Sequence, residues 1–264
     1  MTTSVLLRGA DDSPVHLICV PHAGGGAASF NRWLGLFPTT IAVVRTQLPG
    51  REDRASEPHF RRVGEAVSAL VSDICLLDSR FALYGHSMGA LVAFELAHEL
   101  CAAGAAPVHL FVSGRRAPHR SPSRTPIHDA SEPDLITALR TMGGMGDIEA
   151  TSPEFRQYVL ALIRADLELS EKYSFGRTTT LPCPITAFYG TGDPVVDPEE
   201  VRAWAAHSHN AFRSHEFTGT TSSTSSTATP SLPTWFARST TWCPPSERSA
   251  TVPYRIDDVA AVAA

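Results

Sequence analysis

Residues 83–90 read Leu-Tyr-Gly-His-Ser-Met-Gly-Ala, which centres Ser87 in a Gly-x-Ser-x-Gly pentapeptide. Phe81-Ala-Leu-Tyr84 before it is a short buried-strand pattern. Residues 90–100 after it carry apolar side chains at three- and four-residue spacing, the mark of a helix. A serine held on a sharp strand-to-helix turn has its hydroxyl exposed above the sheet. Any side chain at Gly85 or Gly89 would clash with the turn or with the neighbouring strand. The pattern predicts a nucleophilic serine. Such a hydroxyl is a weak nucleophile near neutral pH, so it needs a general base, usually histidine, and a carboxylate to orient that base.

In α/β-hydrolases the three groups follow the chain order Ser, Asp/Glu, His. Asp193 fits the second role, because it lies in Gly-Thr-Gly-Asp-Pro directly after an apolar strand pattern; Asp197, four residues on, is the alternative. An oxyanion hole requires two backbone N–H groups aimed where negative charge develops. Met88, which follows the nucleophile, should supply one. Ala23, in Pro21-His-Ala-Gly-Gly-Gly26, should supply the other, with the glycines letting backbone approach substrate. That glycine run lacks the Lys-Ser/Thr of a Walker loop and the spacing of a dinucleotide fingerprint. His22 and His86 read as structural hydrogen-bonding residues rather than bases.

These residues need a scaffold of alternating strands and helices. Strand patterns occur at 15–20, 41–44, 81–84, 108–113 and 184–189, and helical patterns at 63–77, 90–100 and 198–207. The alternation predicts an α/β fold with a mostly parallel sheet and helices on both faces. Residues 119–177 interrupt it with two helical stretches, 133–140 and 153–173, joined by Met142-Gly-Gly-Met-Gly146. Inserted helices with a glycine joint suggest a helical lid over a pocket. The hydrolase domain is expected to span 1–219. From Gly219 onward the chain turns rich in Ser, Thr and Pro with no amphipathic period, which reads as disorder or a linker.

The 264 residues are 43% hydrophobic and carry a net charge of −5 with no long basic run, which argues against a nucleic-acid partner. No apolar run approaches the roughly 20 residues of a membrane span. The N-terminus lacks signal-peptide character, so a monomeric cytoplasmic protein is expected. Cysteines 19, 75, 101, 183 and 243 have no C-x-x-C spacing; they read as small core residues, not as disulfides or zinc ligands. No metal or cofactor is implied.

Four segments together carry a specific resemblance. Pro21-His-Ala-Gly-Gly-Gly-Ala-Ala-Ser-Phe30, Gln47-Leu-Pro-Gly-Arg-Glu-Asp-Arg54, Gly85-His-Ser-Met-Gly89 and Ser113-Gly-Arg-Arg-Ala-Pro118 resemble the type II (editing) thioesterases of polyketide and non-ribosomal peptide assembly lines. The likeness covers about residues 15–219 and implies an α/β-hydrolase. Its activity would be hydrolysis of stalled acyl groups from the phosphopantetheine arm of acyl carrier proteins, through an acyl-Ser87 intermediate, in antibiotic biosynthesis. Asp193 matches the family's triad acid.

One element of the family pattern is missing. The triad histidine, in a Gly-Gly/Asp-His-Phe-Phe segment, should fall at the register of Thr221, yet no histidine follows His215. His207, His209 and His215 lie before that register, and His215 is only a weak substitute. Loss of such a base costs on the order of 10⁶ in kcat. A one-base slip after Gly219 accounts for the gap. Codons ending in the first two bases of the printed ones turn Gly-Thr-Thr-Ser-Ser-Thr into Gly-Asp-His-Phe-Phe-His. Two other readings stay open: an esterase of small diffusible esters with the same elbow, and a catalytically impaired carrier-protein binder with a genuine divergent tail.

Overall fold

The structure is a computed structural model that describes residues 6–7, 13–77, 79–143 and 148–218. Its sheet holds β1 (Leu6–Leu7), β2 (Val15–Val20), β3 (Ile41–Thr46), β4 (Arg80–His86), β5 (Leu110–Ser113), β6 (Ile185–Gly190) and β7 (Phe212–Phe217). The spatial order is β1-β3-β2-β4-β5-β6-β7, with β1 antiparallel to β3 and the other six strands parallel. All six positions of β2 are buried, as a parallel strand covered on both faces requires. Its alternate side chains enter two cores. Ile18 and Val20 join Leu83 and Val112 beneath the helices α1 (Val63–Cys75) and α2 (Met88–Ala102). Leu17 and Cys19 join Ala82, Tyr84 and Phe111 on the other face, where Phe30 and Trp33 of a 3-10 turn pack.

The connectivity sets the site. From β2 the chain crosses to β3 on one side, and from β4 it crosses to β5 on the other. Adjacent strands whose connections diverge leave a crevice at their carboxyl ends, where open α/β sheets bind ligands. The loop after β2 and the turn after β4 therefore flank one cleft.

Three elements depart from the sequence reading. Strand β7 was not anticipated, because Phe-Arg-Ser-His-Glu-Phe sets four consecutive polar residues between two phenylalanines and has no buried position. The helix expected over 198–207 divides into α5 (Pro198–Arg202) and a 3-10 turn, Ala203–His207. The cysteines split: Cys19 and Cys183 are buried, whereas Cys75 is exposed at the end of α1 and Cys101 is half-buried. Cys243, Thr221 and the rest of the tail from Gly219 lie outside the described residues.

The insertion between β5 and β6 contains α3 (Glu132–Thr141), a 3-10 turn (Ile148–Ala150) and α4 (Pro153–Glu171). Ser131 and Ser152 cap the two helices by accepting from Asp134 N and Phe155 N, and a proline lies in each first turn. Leu135, Ile136, Leu139, Ile148, Leu160 and Ile163 form a small separate core between them. Among the described residues no helix is long and apolar enough to cross a membrane, and no group of three metal-ligating side chains forms.

Candidate active site

Ser87 sits between β4 and α2 with φ 52° and ψ −111°, one of two non-glycine residues with positive φ among the described residues. Strain of this kind persists only where the surroundings over-determine it. Here they do. A Cβ on Gly85 would lie 2.2 Å from the Gly89 carbonyl oxygen, and a Cβ on Gly89 would lie 2.2 Å from Val20 O and 2.6 Å from Pro21 O. Helix α2 is therefore pressed against the end of β2 by backbone alone. The Ser87 N–H donates to Ser113 O at 2.8 Å, which ties the turn to the end of β5. The side chain is partly exposed, at the mouth of the cleft.

The amides of Ala23 and Met88 have no acceptor among the described residues, although Met88 is buried. One N–H lies in the loop after β2 and the other opens α2. Both lie at the carboxyl ends of the paired strands β2 and β4. His86 is held in the structure rather than offered as a base. Its Nδ1 lies 3.2 Å from Ser113 Oγ, its ring meets His22 edge-on at 5.6 Å, and burial followed by the nearby His22 pushes its pKa down to about 3.

Asp193 lies in the loop after β6, two strands from the elbow, on the same carboxyl edge. Two inter-strand steps span about 10 Å, room for one imidazole between acid and nucleophile. Asp193 accepts from Val195 N at 2.8 Å, which fixes its turn. Asp197 is otherwise engaged. It is the N-cap of α5, accepts from Glu199 N at 2.8 Å and forms a capping box with Glu200.

No described imidazole hydrogen-bonds the Ser87 hydroxyl. His207 is buried against Phe94, Phe175 and Trp204, 2.7 Å from His119, and burial followed by the nearby His119 lowers its pKa to about 4. His209 is exposed beyond it. His215 pairs in register with Phe188 and stacks on its ring at 5.6 Å, along the face of the sheet rather than over the elbow.

The sequence reading gave no role to the residues that brace this site. Arg51 and Asp166 form a bidentate ion pair, Nη1–Oδ2 and Nη2–Oδ1 both at 2.8 Å, with side chains 3% and 1% exposed. The same Arg51 Nη1 donates to Gly25 O at 2.7 Å, and Asp166 Oδ2 accepts from Gly24 N at 2.7 Å. Gln47 accepts from Ala27 N at 2.9 Å and donates to Arg51 O at 3.1 Å. Helix α4 adds Tyr158, whose hydroxyl donates to Gly50 O at 3.2 Å, and Ile163, which fills the space a Cβ on Gly24 would need. Farther along α4, Arg115 donates to Ser170 Oγ at 2.8 Å, and burial lowers its pKa to about 9. A signal existed for Asp166: it is a lone carboxylate within the buried stripe Leu160, Ile163, Asp166, Leu169, where an ion requires a buried partner.

A cavity of about 1180 Å³ opens away from this cleft between α1 and the end of α4. Its charges pair with one another, Arg61 with Glu168 and Arg177 with Glu95 and Glu99, so it offers no catalytic group.

A parallel sheet carrying a strained serine elbow and a facing amide loop defines an α/β-hydrolase. The thioesterase-domain family matches residues 15–232, and the chain belongs to that family of thioester hydrolases. It is 36% identical over 200 residues to the gramicidin S biosynthesis protein GrsT of Aneurinibacillus migulanus, covering 75% of this chain and 78% of that protein. It is 34% identical over 213 residues to thioesterase PikA5 of Streptomyces venezuelae, covering 80% and 75%. The RedJ thioesterase of the prodiginine pathway in Streptomyces coelicolor shares the fold at TM-score 0.74 and 36% identity over 79% of each chain. The type II thioesterase BorB of the borrelidin cluster does so at 0.72 and 32%, over 83% of this chain and 89% of that one.

Proposed function

We propose that this chain is a type II thioesterase that clears acyl groups from phosphopantetheine thioesters of acyl carrier proteins, working beside a polyketide synthase. The observation that carries the chemistry is the Ser87 elbow, strained and locked by Gly85 and Gly89. Ser87 Oγ attacks the thioester carbonyl carbon while its proton passes to an imidazole. The oxyanion rests on the N–H groups of Met88 and Ala23. Collapse breaks the C–S bond, and the thiol leaves with that proton. Water, deprotonated by the same imidazole, then attacks the acyl-serine ester, frees the carboxylic acid and restores Ser87. Asp193 orients the imidazole. The two inserted helices act as the lid that admits the arm.

The base comes from the shifted reading after Gly219, at the register of Thr221. Resequencing the DNA around codon 219, then comparing thioester turnover of the printed and frame-restored chains, tests this. The restored chain should turn over an acyl carrier protein at least about 10³-fold faster, within the range lost when a triad histidine is removed. Equal rates would refute the placement. The absence of histidine after His215 favours one second reading, an impaired carrier-protein binder. An intact, unshifted gene and tight carrier binding without turnover would support it. Faster hydrolysis of a p-nitrophenyl ester than of an acyl carrier protein would instead indicate a small-ester esterase.

A further inference from the structure

We infer that the buried Arg51–Asp166 pair is a positioning device for the oxyanion hole, through which helix α4 of the insertion sets the Ala23 amide. The inference rests on the reading of Ala23 and Ser87 given above. Ala23 lies in a loop with a glycine at each of the next three positions, whose own backbone supplies one turn bond, Gly25 N–H to His22 O at 2.9 Å. The loop is held at two peptide units, Ala23–Gly24 and Gly25–Gly26, one on each side of the Gly24–Gly25 unit. Asp166 Oδ2 takes the Gly24 N–H, and Arg51 Nη1 takes the Gly25 carbonyl. Gly24 itself is at φ +78°, with Ile163 of α4 packed where a side chain would stand. The grip therefore fixes the Ala23–Gly24 peptide, next to the one that carries the Ala23 N–H, and that N–H has no acceptor among the described residues.

The chemistry suits the task. A guanidinium presents a planar fork that matches a carboxylate with two donors and keeps others for the backbone. Arg51 uses that fork on Asp166, while Nη1 also reaches Gly25 and Nε lies 3.4 Å from Pro49 O. A lysine offers a point charge and cannot hold these directions together. The pair joins residues 115 apart in sequence, in the loop after β3 and the fourth turn of α4. Any displacement of α4 at Asp166 is thus transmitted to the oxyanion loop. A lid helix so coupled assembles the hole when seated and loosens it when lifted.

The test uses the full frame-restored chain with Arg51→Lys and Asp166→Asn, and Ser87→Ala as reference. Displacing one oxyanion donor without removing it should lower kcat about 10- to 100-fold, because a misplacement near 1 Å costs on that order. KM should stay within about threefold, since the hole is used in the transition state rather than in ground-state binding. Amide exchange read by NMR should show Gly24 losing protection in both variants while α2 keeps its own. Unchanged kcat in folded variants with Ser87→Ala inactive would overturn the positioning role alone. Persistent turnover in Ser87→Ala would overturn the underlying reading of the site instead. Where turnover is too slow to compare or a variant fails to fold, the parent chain decides. Its Gly24 amide should exchange at least about 100-fold more slowly than Ala23, as a hydrogen-bonded amide does beside an unpaired one. Equal exchange would overturn the proposal.

Discussion

Gly89→Ala isolates the geometric claim at the elbow. The added Cβ would meet Val20 O at 2.2 Å, Pro21 O at 2.6 Å and Val20 C at 2.8 Å, all main-chain atoms of a central strand. None can rotate aside. Reaching the 3.0 Å below which Cβ contacts essentially do not occur requires about 0.8 Å of separation, and α2 must provide it because β2 is paired on both sides. Overpacking of this kind costs about 1–3 kcal/mol, and exchanging glycine for alanine in a helix returns up to about 1 kcal/mol. A net loss of about 1–2 kcal/mol should lower Tm by several degrees and leave the chain folded. Ser87 caps the same helix and moves with it, and a shift near 1 Å costs about 10²-fold in rate. Catalysis should therefore suffer far more than stability. Gly64→Ala in α1 is the control, because a Cβ there meets nothing within 4 Å. It should be neutral or slightly stabilising, with unchanged kcat. The assay pairs steady-state hydrolysis of a soluble acyl thioester with thermal unfolding of each variant. A Gly89→Ala protein with kcat within about threefold of the parent would refute the claim that this contact places the nucleophile.

In the frame-restored chain Asp193→Asn should leave KM near its parent value and lower kcat by about 10⁴-fold, as loss of the orienting carboxylate does, whereas Asp197→Asn should cost only about 1 kcal/mol of stability through the α5 cap. The reverse pattern in kinetics and urea unfolding would reassign the acid. Burial holds His86 and His109 near pKa 3 and His207 near 4, against 6.5 for a free imidazole. The unfolded chain thus binds more protons than the native one below pH 6.5, so stability should be full above that value and fall steadily as pH drops toward 4. Urea midpoints measured across that window check this, and His109→Gln should flatten the fall; a midpoint that rises on acidification would contradict it.

The elbow, the parallel sheet and the family were legible in the sequence because each rests on a local pattern. Gly-x-Ser-x-Gly demands close backbone contact on either side of Ser87, and buried parallel strands read as continuous apolar runs. Strand β7 was not, since Arg213-Ser-His-Glu216 places four polar residues between its two phenylalanines and none of its six positions is buried. The Arg51–Asp166 bracing was missed for a different reason. Its partners lie far apart in the chain, and neither has a spacing that announces the other. Only the incongruity of Asp166 in an apolar stripe of α4 pointed to it. The role of Asp197 likewise became plain only once α5 began at Pro198, which makes the residue before it an N-cap.

Covalent capture at Ser87 tests the central claim most directly. An acyl carrier protein loaded through its phosphopantetheine thioester is mixed with the frame-restored chain, quenched early and read by peptide mass spectrometry, with thiol release followed in parallel. The acyl mass should appear on the peptide containing Ser87, matched by released thiol, and both should vanish in Ser87→Ala. An acyl group found on any other residue, or thioester turnover by Ser87→Ala within about tenfold of the parent, would contradict the assignment of Ser87 as the nucleophile.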